Sequence, residues 1–156
     1  MNRYADQAAF DAHIRAPHVA HLIEFLHSDP DILTPIVYHL KPHSAFTRST
    51  SLPPDPTIMF ASISYVPNTK RQALQGWKEV TSATQKTEPG TLSYNILEDR
   101  DDVNKVNVLE VYQDDACLWD VHAKSAAVVS NKQRNGSIRA HLSHVRLKAV
   151  VGFLKR

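Results

Sequence analysis

Hydrophobic positions recur along this 156-residue chain with two different periods, and the switches between them outline a fold. Residues 58–66 alternate, with Met59, Ala61, Ile63 and Tyr65 on one side and Ile58, Phe60, Ser62 and Ser64 on the other. That is the period of a β-strand, which Pro67 ends. From 69 to 86 the period lengthens: Ala73, Leu74, Trp77, Val80 and Thr84 fall on one face of a helix, stopped by Glu88-Pro89-Gly90. Alternation returns at 91–98 (Leu92, Tyr94, Ile96) and again at 105–113, around the solvated charges of 98–102. A helix is predicted from Asp114 to about Lys132, with Asn135-Gly136 beyond it. A last strand is predicted over 144–154, where Val145, Leu147, Ala149, Val151 and Phe153 alternate.

The order β-α-β-β-α-β predicts an α+β ferredoxin-like domain over 57–156, an antiparallel sheet with its helices on one face. The opposite face of such a sheet needs cover, and a second copy of the chain is a common solution. Ahead of this block, Asp6 can cap a helix over 7–15, Pro17 interrupts it, and a second helix carries Val19, Leu22, Ile23 and Leu26 as an apolar stripe. A short strand is expected at Ile36-Val37-Tyr38, which makes residues 1–42 a helix–strand extension. Residues 43–56, rich in Ser and Thr and holding Pro53, Pro54 and Pro56, are expected to be an extended linker.

Composition narrows the function classes without selecting one. Eighteen Lys and Arg against sixteen Asp and Glu give a net charge of +2, so no overall field draws the protein to nucleic acid. No stretch approaches the roughly 20 apolar residues that span a bilayer, and the polar opening does not read as a secretory signal. With a single cysteine, Cys117, an intramolecular disulfide is excluded, and the expectation is a cytoplasmic protein without membrane or nucleic-acid partners. There is no Gly-rich phosphate loop, Gly-x-Ser-x-Gly elbow or dinucleotide fingerprint, so no nucleotide or flavin cofactor is expected. Histidine is abundant, with nine in the chain, but of His13, His18 and His21 only the last two share a helix face, and two imidazoles without a nearby Cys or acidic third ligand make a poor metal site, although Glu24 could extend the row. No metal is expected. Cys117, early in a predicted helix, could have a lowered pKa there.

Two ordered motifs carry a resemblance. Thr87-Glu88-Pro89-Gly90-Thr91-Leu92-Ser93-Tyr94 follows the first helix of the block, and Val108-Leu109-Glu110-Val111-Tyr112-Gln113-Asp114 leads to His122-Ala123-Lys124-Ser125. Together, from about 58 to 153, they resemble the antibiotic biosynthesis monooxygenase family of the dimeric α/β-barrel superfamily. Near the N-terminus, Tyr4-Ala5-Asp6-Gln7-Ala8 echoes Tyr112-Gln113-Asp114-Asp115-Ala116, and His13-Ile14-Arg15-Ala16 echoes His122-Ala123-Lys124-Ser125. Residues 4–42 thus resemble the back half of a second such domain, with His13 and His18 at the family's paired histidine positions; Ala127 stands where the larger block would need the second one.

The resemblance implies a homodimer that forms the barrel, a flat aromatic or polyketide-like small-molecule substrate, and oxidation by oxygen without a cofactor, as in the tailoring enzymes of secondary metabolism. Such chemistry needs a base near neutral pKa and a dry pocket. His122, at the family's histidine position, is the expected general base, with Glu110 and Tyr112 on one strand face to orient it or the substrate. The expected substrate-binding set is Trp77, Tyr94, Phe60, Trp119 and His18. Each has a plainer reading beside it: His122 bonding a helix carbonyl, Glu110 pairing with a surface Lys or Arg, Trp77, Tyr94 and Trp119 as packing. A non-oxidative cyclase, isomerase or lyase in the same pocket, or a non-catalytic binding or assembly module, fits the same residues.

Overall fold

In the computed structural model, residues 4–28, 37–48 and 51–149 are described. The chain divides into two compact units, residues 1–37 and 38–156. The N-terminal unit holds two helices, α1 (Gln7–Ile14) and α2 (Pro17–Ser28). Asp6 caps α1 as its side chain accepts from the Ala9 amide at 2.8 Å, and Pro17, which can donate no amide hydrogen, opens α2.

The larger unit contains a five-stranded antiparallel sheet. Its elements are β1 (Leu40–Thr47), β2 (Thr57–Tyr65), α3 (Lys70–Thr87), β3 (Thr91–Asp99), β4 (Lys105–Tyr112), α4 (Ala126–Asn135) and β5 (Arg139–Leu147), with strand order β1-β3-β4-β2-β5. The last four strands have the ferredoxin-like arrangement, in which β4 inserts between β2 and β3 and α3 makes the crossover. β1 is an addition on the β3 edge.

The pairing register decides which side chains face the helices. Met59 lies opposite Glu110, Ala61 opposite Val108 and Ile63 opposite Val106, so the odd residues of β2 share a face with the even residues of β4. Tyr94 lies opposite both Glu110 and Phe46, which continues that face to the edge. Against it α3 packs Ala73, Leu74, Trp77 and Val80, joined by Ile96, Val106 and Val108 in one buried cluster. Each large apolar side chain buried this way contributes about 1.5–3 kcal/mol, which fixes the helix on the sheet despite its polar outer face.

The elements differ from the periodicity in four places. The strand expected at 36–38 lies at Leu40–Thr47 instead; Val37 and Tyr38 are outside it and Ile36 lies outside the described residues. Residues 43–47 are therefore edge strand rather than linker. Pro42 and His43 are tolerated because the register shifts between Pro42 and Ser44, and an edge position spares a proline the missing ladder bond. The single helix expected from Asp114 to Lys132 is three pieces: a π-helical turn at Cys117–Val121, a 3-10 turn at His122–Lys124, and α4. Ser125 ends the first part with extended backbone (φ −63°, ψ 145°), and its side chain caps α4 by accepting from the Val128 amide. Finally, β5 begins at Arg139, five residues before the expected start, and its expected positions beyond Ala149 lie outside the described residues.

Candidate active site

The break in the last helix places a histidine inside the protein. His122 begins the 3-10 turn, is 5% exposed, and meets the Glu88 carboxylate through Nδ1 at 2.7 Å. Glu88 caps the C-terminus of α3 and is itself buried; the Thr84 hydroxyl donates to its Oε1 at 3.3 Å and the Thr91 hydroxyl to its Oε2 at 3.2 Å. A β-bulge makes the last contact available. The register of β3 on β4 shifts between Thr91 and Ser93, so that Thr91 lies opposite Tyr112 while Ser93 lies opposite Val111. Without the bulge, Thr91 and Ser93 would share the other face of the sheet. Gly90 lets this turn pass close to the π-helical segment: a Cβ there would sit 2.3 Å from the Cys117 Sγ.

Two tyrosine rings flank His122. The Tyr94 ring centroid lies 5.0 Å from the imidazole and that of Tyr112 5.4 Å, and both side chains are fully buried. Phe46 of β1 stacks on the far side of Tyr94 at 6.5 Å. Met59 and Leu118 close over Tyr112. Neither tyrosine hydroxyl makes a hydrogen bond of full geometry; the group beside both is the Glu110 carboxyl, which interacts with each of them.

The charges around these hydroxyls are displaced from their ordinary states. Burial works to raise the Glu88 carboxyl, but the hydrogen bond and positive charge of His122, with Thr91 and Ser125, outweigh it and hold it below the usual carboxylate range. Glu110, half-buried opposite Tyr94, goes the other way: burial raises it, and His122 and the tyrosine hydroxyls only partly offset that. Burial and then the charge of Glu110 push Tyr94 and Tyr112 far above the ordinary phenol range, so both remain neutral donors. One carboxylate held ionised against an imidazole, beside a second carboxyl biased toward its protonated form, is an arrangement suited to moving protons.

The structure thus brings together His122, Tyr112, Tyr94 and Glu110 from the expected set, and no Lys or Arg pairs with Glu110 among the described residues. It places Trp77, Phe60 and Trp119 apart from them. Trp77 is core: 7% exposed, it donates from Nε1 to the Tyr65 hydroxyl at 2.7 Å, with the Arg139 guanidinium 5.5 Å over its ring. Phe60 points to the opposite sheet face, where its ring lies 5.4 Å from that of Tyr38. Trp119 is 53% exposed on the π-helical turn, and His18 stands on α2 in the N-terminal unit. Cys117 is corrected as well, since burial and the neighbouring Asp114 raise its thiol pKa rather than lower it. Glu88 was missed: its place in a Glu-Pro-Gly turn reads as a helix stop, and only its spacing ahead of the Tyr94 motif hinted at more. Among the described residues no group of three or more His, Cys, Asp or Glu is placed to hold a metal ion, and no helix is long and apolar enough to cross a membrane.

A four-stranded ferredoxin-like sheet with both helices on one face, enclosing a buried Glu–His pair and two tyrosines, defines the class of domain. Residues 57–130 match the antibiotic biosynthesis monooxygenase family. Solved structures share the fold. A candidate monooxygenase from Fusobacterium nucleatum superposes with a TM-score of 0.76 at 19% identity, over 97% of this chain and 67% of that one. Another from Lactobacillus acidophilus gives 0.72 at 19% identity, over 96% and 70%. A candidate antibiotic biosynthesis monooxygenase from Bacteroides thetaiotaomicron gives 0.61 at 20% identity, over 65% of this chain and 96% of that one. No curated protein matches the sequence.

Proposed function

We propose that this domain is a cofactor-independent oxygenase that acts on a phenolic or anthrone-type aromatic substrate, in the manner of a secondary-metabolism tailoring enzyme. The observation that carries the reading is the buried Glu88–His122 pair set between the Tyr94 and Tyr112 rings, with the Glu110 carboxyl beside both hydroxyls. Glu88 holds Nδ1, which leaves Nε2 as the ring nitrogen to take a proton from the substrate, and the ionised carboxylate stabilises the imidazolium that forms. Tyr94 and Tyr112 donate to the oxygen on which the substrate's negative charge collects. The electron-rich anion then reacts with O2; for an anthrone, the methylene carbon gains one oxygen as a carbonyl and the other leaves as water. Because His122 is only 5% exposed, substrate reaches it when the irregular 117–124 segment moves outward. The same reading includes a homodimer, supported by β5, which is exposed from Ala140 onward on both faces with Leu142, Val145 and Leu147 open to solvent.

Oxygen uptake with anthrone and naphthol probes tests this. Turnover should consume one O2 per quinone formed and fall by about 10²–10⁴ in His122→Gln, the range a general base supplies. Undiminished turnover without oxygen would sink the oxygenase reading. It would favour instead an isomerase or cyclase in the same site, which the two buried phenol donors also suit, since they would stabilise an enolate equally well.

A further inference from the structure

The carboxylate that holds His122 is itself held, and from outside the family domain. Arg48 follows β1, nine residues before the family match begins. Its Nε donates to the Thr91 carbonyl at 2.8 Å, and its Nη2 to the carbonyls of Gln85 at 2.8 Å and Glu88 at 3.1 Å. Its own amide donates to the Leu92 carbonyl at 2.8 Å, and the guanidinium lies 5.1 Å over the Phe46 ring. The Gln85 and Glu88 carbonyls belong to the last turn of α3 and its cap, where a helix leaves acceptors unsatisfied and negative in character, and those of Thr91 and Leu92 open β3. A planar fork of donors can bridge several of them at once, which a lysine ammonium on its flexible stem cannot do in the same geometry.

We propose that Arg48 is a positioning residue for the proton-transfer pair: by clamping the 85–91 turn it fixes the Glu88 backbone, and through it the carboxylate that orients the His122 ring. The edge strand β1 then belongs to the working site, with Phe46 backing Tyr94 and Arg48 bracing Glu88. The clamp does not depend on which reaction the site performs; only its effect on turnover rests on His122 being the base.

The test reads the proton between His122 Nδ1 and Glu88 by imidazole NMR, assigned as the signal lost in both His122→Gln and Glu88→Gln. Its exchange with solvent is compared in Arg48→Ala, Arg48→Lys and Val106→Ala. Val106 is fully buried at the far end of β4, so its truncation lowers stability without touching the turn. Arg48→Ala should exchange this proton at least tenfold faster than Val106→Ala, and Arg48→Lys should recover the slow exchange only in part. If Arg48→Ala does not fold, Arg48→Lys decides alone, with faster exchange than Val106→Ala as the supporting result. Wild-type exchange in the Arg48 variants, or acceleration no greater than in Val106→Ala, overturns the proposal. In turnover, Arg48→Lys should lower kcat while leaving KM unchanged; loss of turnover in His122→Gln but not in Arg48→Lys overturns the clamp and keeps the base. Full turnover in His122→Gln removes the base, while the ring proton still decides the clamp.

Discussion

Glu88 offers the sharpest test of the site, because two substitutions there separate charge from shape. Glu88→Ala leaves the His122 Nδ1 hydrogen and the Thr84 and Thr91 hydroxyls without their acceptor, all of them buried around a side chain that is 3% exposed. Removing one partner of such a pair costs about 3–5 kcal/mol. Glu88→Gln keeps the shape and one acceptor oxygen but loses the charge. A charge-assisted hydrogen bond contributes about twice a neutral one, so the loss should be about 1–2 kcal/mol. Urea unfolding at neutral pH measures both. The pH dependence follows from the Glu88 pKa, which the fold holds below the ordinary 4.5. The ionised carboxylate therefore contributes its stability at pH above the unfolded value, and that contribution fades as pH falls through the folded value. The gap between wild type and Glu88→Gln should be widest near neutrality and shrink below about pH 4.5. A Glu88→Gln variant as stable as the wild type at pH 7, with no change in the gap on acidification, would refute the buried ionised pair.

The other predictions rest on features away from that carboxylate. Tyr94→Phe and Tyr112→Phe each remove a buried donor to the Glu110 carboxyl, so each should cost about 1 kcal/mol in urea titration, while reducing turnover of the aromatic probes. Gly76→Ala would ordinarily stabilise a helix by about 1 kcal/mol, but its Cβ would stand 2.2 Å from the Asn131 Oδ1 and 2.5 Å from the Asn135 Nδ2, two buried amides bonded to each other at 2.8 Å. The crowding should win and cost about 1–3 kcal/mol by thermal denaturation, and the loss should shrink when Asn131→Ala makes room.

The two parts of the site differ in how they could be found. Tyr94, Glu110 and Tyr112 sit in strands whose alternation is plain, and a period of two leaves no freedom about which residues share a face. Residues 57–112 fall close to the elements their pattern predicts because local periodicity and burial agree there. Trp77 is a different case: an aromatic on an apolar stripe has the same pattern whether it lines a pocket or fills a core, and the bond from its indole to Tyr65 decides for core.

What the sequence by itself determined is thus the order of elements, which residues of each strand share a side and the identity of His122 as a residue worth attention. Only the tertiary structure decided where His122 points. Nothing local ends a helix at Val121, but a buried carboxylate 34 positions earlier in the chain captures the imidazole, and Ser125 restarts the helix behind it. The same holds for Glu88 and Arg48, whose neighbours in sequence read as a helix stop and an extended linker. Their roles come from contacts 34 and 40 residues away, which no local pattern encodes.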